Sequence, residues 1–213
     1  MRIISTGSLI RGVEIVQKIE LLEHISNEHK GILRTADAVN AGVSKIYFLK
    51  FVRDYGYEQA ARGVYLSPDA WADSGYILQL KCREAVLSHE TALYLLGLSE
   101  REPAQCVATV KQGYNPAKLT RRGIRVYTIK REWHDLGVTE ILSPMGNPVR
   151  VYDAERTLCD IFRIRSQVDR RERMAALEKY VKSGKSDLLR LMEYARLFRL
   201  EEVLKKQLEL CEK

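Results

Sequence analysis

Between residues 13 and 28 the apolar positions Val13, Val16, Ile19, Leu22 and Ile25 recur every three residues, with Glu14, Glu20 and Glu23 mostly on the other side. That is the rhythm of an amphipathic helix. Gly31 closes it, and the ILR that follows is short enough for a small strand. Thr35 then reads as the N-cap of a second short helix, TADAVN, with Gly42 suited to the left-handed position that ends it. Ser44 reads as the cap of a third helix running to about Asp54. On it Phe48, Phe51, Val52 and Tyr55 share one face, while Lys50 lies nearly opposite and Tyr47, Arg53 and Asp54 flank it. YEQAARGVYLS predicts a hairpin that turns at Gly63.

Helix, strand, helix, tight glycine turn, helix, hairpin is the order of a winged helix-turn-helix, expected over residues 13–70. The opening MRIISTGSLIRG carries no long apolar run and reads as a loose leader. After a boundary at residues 68–74 the pattern changes. WADSGYILQLKCREAVLSHETALYLLGL predicts two helices, the second capped at Ser88. Strand-like runs follow at QCVATV, IRVYTIK, TEIL and PVRVY, the last two joined by the turn-rich SPMGN. A helix starts near Asp153, and the remainder is helical over 169–182 and 187–211, with an interruption near Phe198 to Leu200. The expected class is α+β: the winged helix-turn-helix, then a mixed domain over 75–213 with a small, mostly antiparallel sheet and several helices. Leu188, Leu191, Met192, Ala195, Leu204 and Leu208, at helical spacing, predict the far wall of that second core.

Composition changes this picture little. Of 213 residues, 46% are apolar and 30% charged, which suits a chain that buries a core without staples. Cys82, Cys106, Cys159 and Cys211 are scattered without CxxC or zinc-ligand spacing and read as reduced thiols of a cytoplasmic protein. No stretch is long and apolar enough for a membrane span. His24, His29, His89 and His134 form no HExxH pair, and there is no GxSxG, GxGxxG or GxxxxGK[ST]. We therefore expect no catalytic residues, no metal and no cofactor. Asp153, Glu155 and Asp160 look like an acidic cluster but fit helix roles better: an N-cap, a first-turn acid, and a partner for Arg156 or Arg163.

Charge distribution is more informative than the net +7. Residues 13–28 set Lys18 against Glu14, Glu20, Glu23 and Glu28, whereas residues 29–67 hold six cations against three acids. An acidic helix turned away from a polyanion and a basic face turned toward it would have this form. The candidate DNA contacts are Thr35 and Ser44 to the backbone, Lys45, Tyr47 and Lys50 to base edges or phosphates, Arg53 to the flanking backbone, and Arg62 at the hairpin tip. A second feature is KQGYNPAKLTRRGIRVYTIKR, residues 111–131, which has no acid at all. Lys118, Arg121, Arg122, Arg125, Lys130 and Arg131, with Lys111, form either a docking surface for an acidic partner or a second nucleic-acid contact in which Tyr114 and Tyr127 stack. A solvated loop between strands would also carry such a run.

ILRTADAVNAGVSKIYFLKFVRDYGYEQAARGVYLSP, then LSHETALYLLGL, KLTRRGIRVYTIK and PVRVYDAERTLCDIF leading into a helical tail, together resemble the AbiEi-type antitoxins of type IV toxin–antitoxin systems, which are grouped with regulators of viral defence. The likeness runs over about residues 13–211 in the family's order. It implies a winged helix that represses its own promoter, and a C-terminal α+β domain that neutralises a nucleotidyltransferase-like toxin; because a single module of this size gives modest specificity, two copies on repeated half-sites of double-stranded operator DNA are expected. The alternatives are a stand-alone regulator with a ligand-sensing or oligomerising second domain, and a defence-associated nuclease. For the nuclease the strand region lacks a PD followed by ExK.

Overall fold

The computed structural model describes residues 6–163 and 166–211, which fall into two compact units, one ending at Asp73 and one beginning at Ser74. The architecture is mixed α+β, with two sheets.

In the first unit α1 spans Thr6–Glu28, followed by β1 (Ile32–Arg34), α2 (Thr35–Asn40), α3 (Lys45–Asp54), β2 (Glu58–Ala61) and β3 (Val64–Leu66). Helix α1 thus takes in much of the expected leader, whose residues 1–5 lie outside the described residues. Nothing from Thr6 to Gly12 breaks a helix as proline would, so the helix extends beyond the apolar stripe that reveals it. Toward its C-terminal end that stripe is buried, with Leu22 and Ile25 in the core, whereas Val16 is 52% exposed. Leu22, Ile25, Leu33, Ala38, Val43, Phe48, Phe51 and Val52 form the core, with Phe48 edge-on to Tyr65 at 5.4 Å. Tyr55 stacks on Phe51 at 4.3 Å but is exposed rather than buried with it.

The three strands pair antiparallel in the order β1-β3-β2. Two glycines set this geometry. Gly31, at φ +85°, ends α1 where a Cβ would lie 2.4 Å from that of Ala70 and 2.5 Å from the Ser67 hydroxyl. Gly63, at φ +69°, turns the β2–β3 hairpin, and its carbonyl accepts from the Thr35 amide at 3.0 Å. Ser44 caps α3 as the sequence indicates, its hydroxyl accepting from the Tyr47 amide at 3.3 Å. Thr35 is not a cap. It is the first residue of α2, whose N-cap is Arg34 without a side-chain cap bond, because a guanidinium has no acceptor for a backbone N–H; it donates to Asp37 instead.

In the second unit the elements are α4 (Ser74–Lys81), β4 (Val86–Leu87), α5 (His89–Leu95), β5 (Val107–Lys111), α6 (Ala117–Thr120), β6 (Arg125–Ile129), α7 (Arg131–His134), β7 (Val138–Leu142) and β8 (Pro148–Tyr152). The helices α8 (Ala154–Phe162), α9 (Arg170–Lys182), α10 (Leu188–Leu197) and α11 (Glu201–Cys211) complete it. The sheet order is β6-β5-β4-β8-β7, with β4–β5 and β7–β8 antiparallel but β5–β6 and β4–β8 parallel. It is therefore a mixed sheet, not a mostly antiparallel one. Residues 112–124 are long enough for the crossover of about a dozen residues that a parallel neighbour needs, and they carry α6. At the sheet's centre is β4, whose two residues are too few to show any alternation.

Leu78, Cys82, Leu87, Ala108, Val110, Leu119, Val149 and Val151 form one apolar cluster. A second gathers Leu93, Leu158, Ile161, Leu177, Tyr180, Leu191, Ala195 and Leu204 around α8. Helix α8 is buried from Glu155 to Ile161. Asp153 caps it, accepting from the Arg156 amide at 2.7 Å, as the sequence indicates. The tail is largely the expected wall, although Leu188 is exposed, and its interruption is Arg199, in left-handed backbone at φ +59°.

Candidate functional site

On α3 the buried side chains Phe48, Phe51 and Val52 fix which face remains outside. At 100° per residue, Ile46, Lys50 and Arg53 point in the opposite direction, with Leu49 beside them, while Lys45 is exposed on the flank at the helix start. Ile46 is 85% exposed. Lys45 and Lys50 are exposed and make no ion pair among the described residues, while Arg53 lies 3.1 Å from the neighbouring Asp54. Arg62 is exposed at the hairpin tip, and Thr35 is half-buried against Gly63 in the same hairpin. Tyr47 faces another way. It is half-buried, its hydroxyl donates to the Ile15 carbonyl of α1 at 3.3 Å, and Lys18 sits 5.8 Å from its ring centre. Burial pushes its phenol above the ordinary value. Tyr47 thus packs α3 on α1, and the outward place is held by Ile46. A helical wheel finds that residue, because an isoleucine diametrically opposite the core has no packing reason to be apolar.

The acid-free run of 111–131 is not one surface. Lys111 pairs with Glu84 at 2.6 Å, and Arg125 is half-buried against Glu90 at 2.5 Å. Arg131 donates to the Gln112 carbonyl at 3.1 Å, and Lys130 lies over the Trp133 ring at 4.5 Å and 3.6 Å from Glu132. Lys118, Arg121 and Arg122 are exposed on α6 and the turn after it. Strand β6, about 16 Å long at 3.3 Å per residue, separates this group from Lys130 and Arg131. Acids distant in sequence neutralise part of a run that contains none.

The two tyrosines of the run face inward. Tyr114 packs on the cluster around Leu78 and Cys82, and its phenol is pushed up to about 12, first by the Cys82 thiol and then by burial. Tyr127 stacks on His89, ring centres 3.7 Å apart and planes at 10°, and its hydroxyl accepts from the Gln167 amide at 3.1 Å. Neither is a free stacking platform of the kind expected.

His89 and Tyr127 line a cleft of about 610 Å³, together with Thr109, Asp160, Arg163, Phe198 and Arg199. His89 is buried in left-handed backbone at φ +49°, and burial pushes its imidazole below the ordinary value, against the pull of Asp160 and Glu90. Ser88, expected to cap α5, makes no cap bond. Its oxygen accepts from the Thr109 hydroxyl at 2.8 Å and lies 3.1 Å from His89 Nδ1. Asp160 pairs with Arg156 at 3.0 Å and with Arg163 at 3.5 Å, the partners its helical spacing indicates. Sequence reasoning missed the cleft, because its residues come from five separate stretches and no local spacing links them.

No protein-family model and no curated protein matches the chain. Among solved structures, the crystal structure of the RV2827C protein from Mycobacterium tuberculosis is similar, with a TM-score of 0.59 and 12% sequence identity over 83% of this chain and 70% of that one. At that identity the likeness is one of fold alone. No helix among the described residues is long and apolar enough to cross a membrane. Two places therefore offer chemistry, the outward face of α3 with its hairpin and the His89 cleft.

Proposed function

We propose that this protein is the DNA-binding antitoxin of a type IV toxin–antitoxin system, acting in the cytoplasm. Its first unit works as a winged helix-turn-helix that binds repeated half-sites in its own promoter and represses it. Its second unit neutralises a nucleotidyltransferase-like toxin. The observation that carries the DNA part is the outward face of α3. Lys45, Ile46, Lys50 and Arg53 stand clear of the core on a capped helix followed by a glycine-turned hairpin tipped by Arg62. Such a helix fits the major groove, and a basic hairpin fits the adjacent backbone. The order α1-β1-α2-α3-β2-β3 supports the same reading. For the toxin, support comes from the resemblance in sequence and from the exposed cations Lys118, Arg121 and Arg122, which suit an acidic partner surface.

Binding of the full-length protein to its promoter, followed across salt concentration, tests the first half. If each copy neutralises about five phosphates, log affinity falls against log salt with a slope of about −4.5 per copy. A slope near zero rules out DNA binding of this kind. Co-expression with the neighbouring gene, scored for rescue of growth and for co-purification, tests the second half. The cleft beside His89 favours one other reading, a regulator whose second unit senses a small molecule. Repression without rescue, together with a neighbour unrelated to nucleotidyltransferases, selects it.

A further inference from the structure

The cleft beside His89 has no part in binding DNA or toxin as proposed above, yet it is built as a binding site. Its volume of about 610 Å³ is that of a small-molecule pocket. The polar groups on its wall are unequal in kind. Ser88 Oγ accepts from the Thr109 hydroxyl at 2.8 Å and lies 3.1 Å from His89 Nδ1. In the tautomer in which Ser88 donates to Nδ1, the imidazole proton sits on Nε2, which makes no hydrogen bond among the described residues, on a ring that lines the cleft. That N–H is then available to a ligand.

Two guanidinium groups line the same space. Arg163 reaches one oxygen of Asp160 only at 3.5 Å, while the other oxygen of that carboxylate accepts from Arg156 at 3.0 Å. Arg199 is exposed, held in left-handed backbone at φ +59°, and makes no ion pair among the described residues. Asp160, shared between Arg156 and Arg163, is the only acid among the described residues that line the cleft. The wall therefore offers donors and net positive charge, with the rings of Tyr127 and Phe198 as its apolar part. Non-glycine residues at positive φ are uncommon and concentrate at ligand sites, and here two of them, His89 and Arg199, belong to one cleft.

We propose that this cleft binds a small metabolite through an oxyanion, a carboxylate or a phosphate monoester. His89 Nε2–H, Arg163 and Arg199 are the donors, and the carbon part of the ligand lies along Tyr127. Charge-assisted hydrogen bonds from two guanidinium groups suit such an anion, which also accepts from the imidazole N–H.

The test uses the full-length protein, titrated calorimetrically with glycerol 3-phosphate, glutarate and inorganic phosphate, with glycerol as the uncharged control. In parallel the imidazole ¹⁵N resonances of His89 are followed. Saturable binding of glycerol 3-phosphate or glutarate is expected, with a shift of the His89 Nε2 signal and no response to glycerol, and the better of the two identifies the oxyanion. Arg199→Gln and Arg163→Gln should each weaken binding about tenfold, the loss of one charged hydrogen bond. Lys45→Ala with Lys50→Ala should leave it unchanged, which separates the cleft from anion binding on α3 and from the fate of the DNA reading. His89→Gln risks the fold, so exposed Arg199 is the decisive variant. Absence of saturable binding by every anion, an equal response to glycerol, or binding untouched in both arginine variants would each overturn the proposal.

Discussion

Arg156 and Asp160, one turn apart on α8, form an ion pair of 3.0 Å in which the two side chains are 0% and 3% exposed. The pair survives burial because Arg156 is held on other sides too, although its Nη2 makes no hydrogen bond among the described residues. Nη1 donates to the carbonyls of Trp133 at 2.7 Å and Leu136 at 2.8 Å, and the guanidinium lies between the rings of Tyr152 at 4.2 Å and Phe198 at 4.7 Å. Asp160→Asn leaves a buried cation without its counter-ion and should cost about 3–5 kcal/mol. Replacing both, as Arg156→Met with Asp160→Leu, should cost much less than the sum of the single changes. Urea unfolding of Asp160→Asn, and of the four proteins of the Arg156→Met and Asp160→Leu cycle, measures the two quantities.

His89 predicts an acid-side loss of stability. Burial holds its imidazole below the ordinary value, against Asp160 and Glu90, which favour the charged form, and with Arg163 and Arg156, which oppose it. As pH falls below about 6.5 the unfolded chain takes up a proton that the folded one does not, so the unfolded state binds more protons and stability falls. The contribution is whole above that value and is lost progressively down to the depressed folded value. Urea midpoints measured from pH 8 downward should fall more steeply in the native protein than in His89→Phe. Parallel profiles would mean that His89 is protonated equally in both states.

Ile46 predicts a contact that reads a methyl group. An apolar side chain among Lys45, Lys50 and Arg53 suits the C5-methyl of thymine, which is displayed only in the major groove. Ile46→Ala should weaken operator binding by about 1–2 kcal/mol. Replacing the contacted dT by dU should weaken the native protein similarly and Ile46→Ala hardly at all. By contrast, Lys45→Ala and Lys50→Ala should weaken binding to every sequence and reduce the salt slope by about 0.9 for each phosphate no longer neutralised. Band-shift titrations on the two DNAs distinguish these effects.

Ser44 separates folding from binding. Its hydroxyl accepts from the Tyr47 amide, so Ser44→Ala should destabilise the first unit by about 1 kcal/mol. Ser44→Asp keeps a capping acceptor and should restore stability, yet it places a negative charge at the helix start facing phosphates. Thermal melts should show Ser44→Asp near native, and promoter binding should show it weaker than Ser44→Ala.

Within the basic run, charge reversal should divide docking residues from structural ones. Lys118→Glu with Arg121→Glu changes exposed side chains and should leave stability within about 0.5 kcal/mol while abolishing toxin co-purification. Arg125→Ala leaves Glu90 partly buried without its partner and should lower the melting temperature instead. Melting curves and pull-downs on the same two proteins make the comparison.

What could be read from the chain is what neighbours in sequence decide. The Ser44 and Asp153 caps, the Gly63 turn, the Asp160 pairings at helical spacing and the break at Arg199 all rest on contacts within a few residues. The apolar stripes of α1 and α3 locate helices because one face must leave water, but a stripe does not say how far the helix continues past its core. Hence α1 begins at Thr6 and Val16 stays exposed.

Pairing across the chain decided the rest. Two-residue β4 is central only because β5 and β8 flank it, and the sheet is mixed because α6 returns β6 parallel to β5. Tyr127 turned from a stacking candidate into a partner of His89 when β6 settled beside β5, and Ser88 gave up its cap for Thr109 on that same strand β5. The helix and turn patterns were determined locally by steric and hydrogen-bond preferences within a few residues. The cleft, with His89 and Arg199 drawn to the Asp160–Arg163 pair, exists only through tertiary packing, since nothing in the spacing of those three stretches requires them to meet.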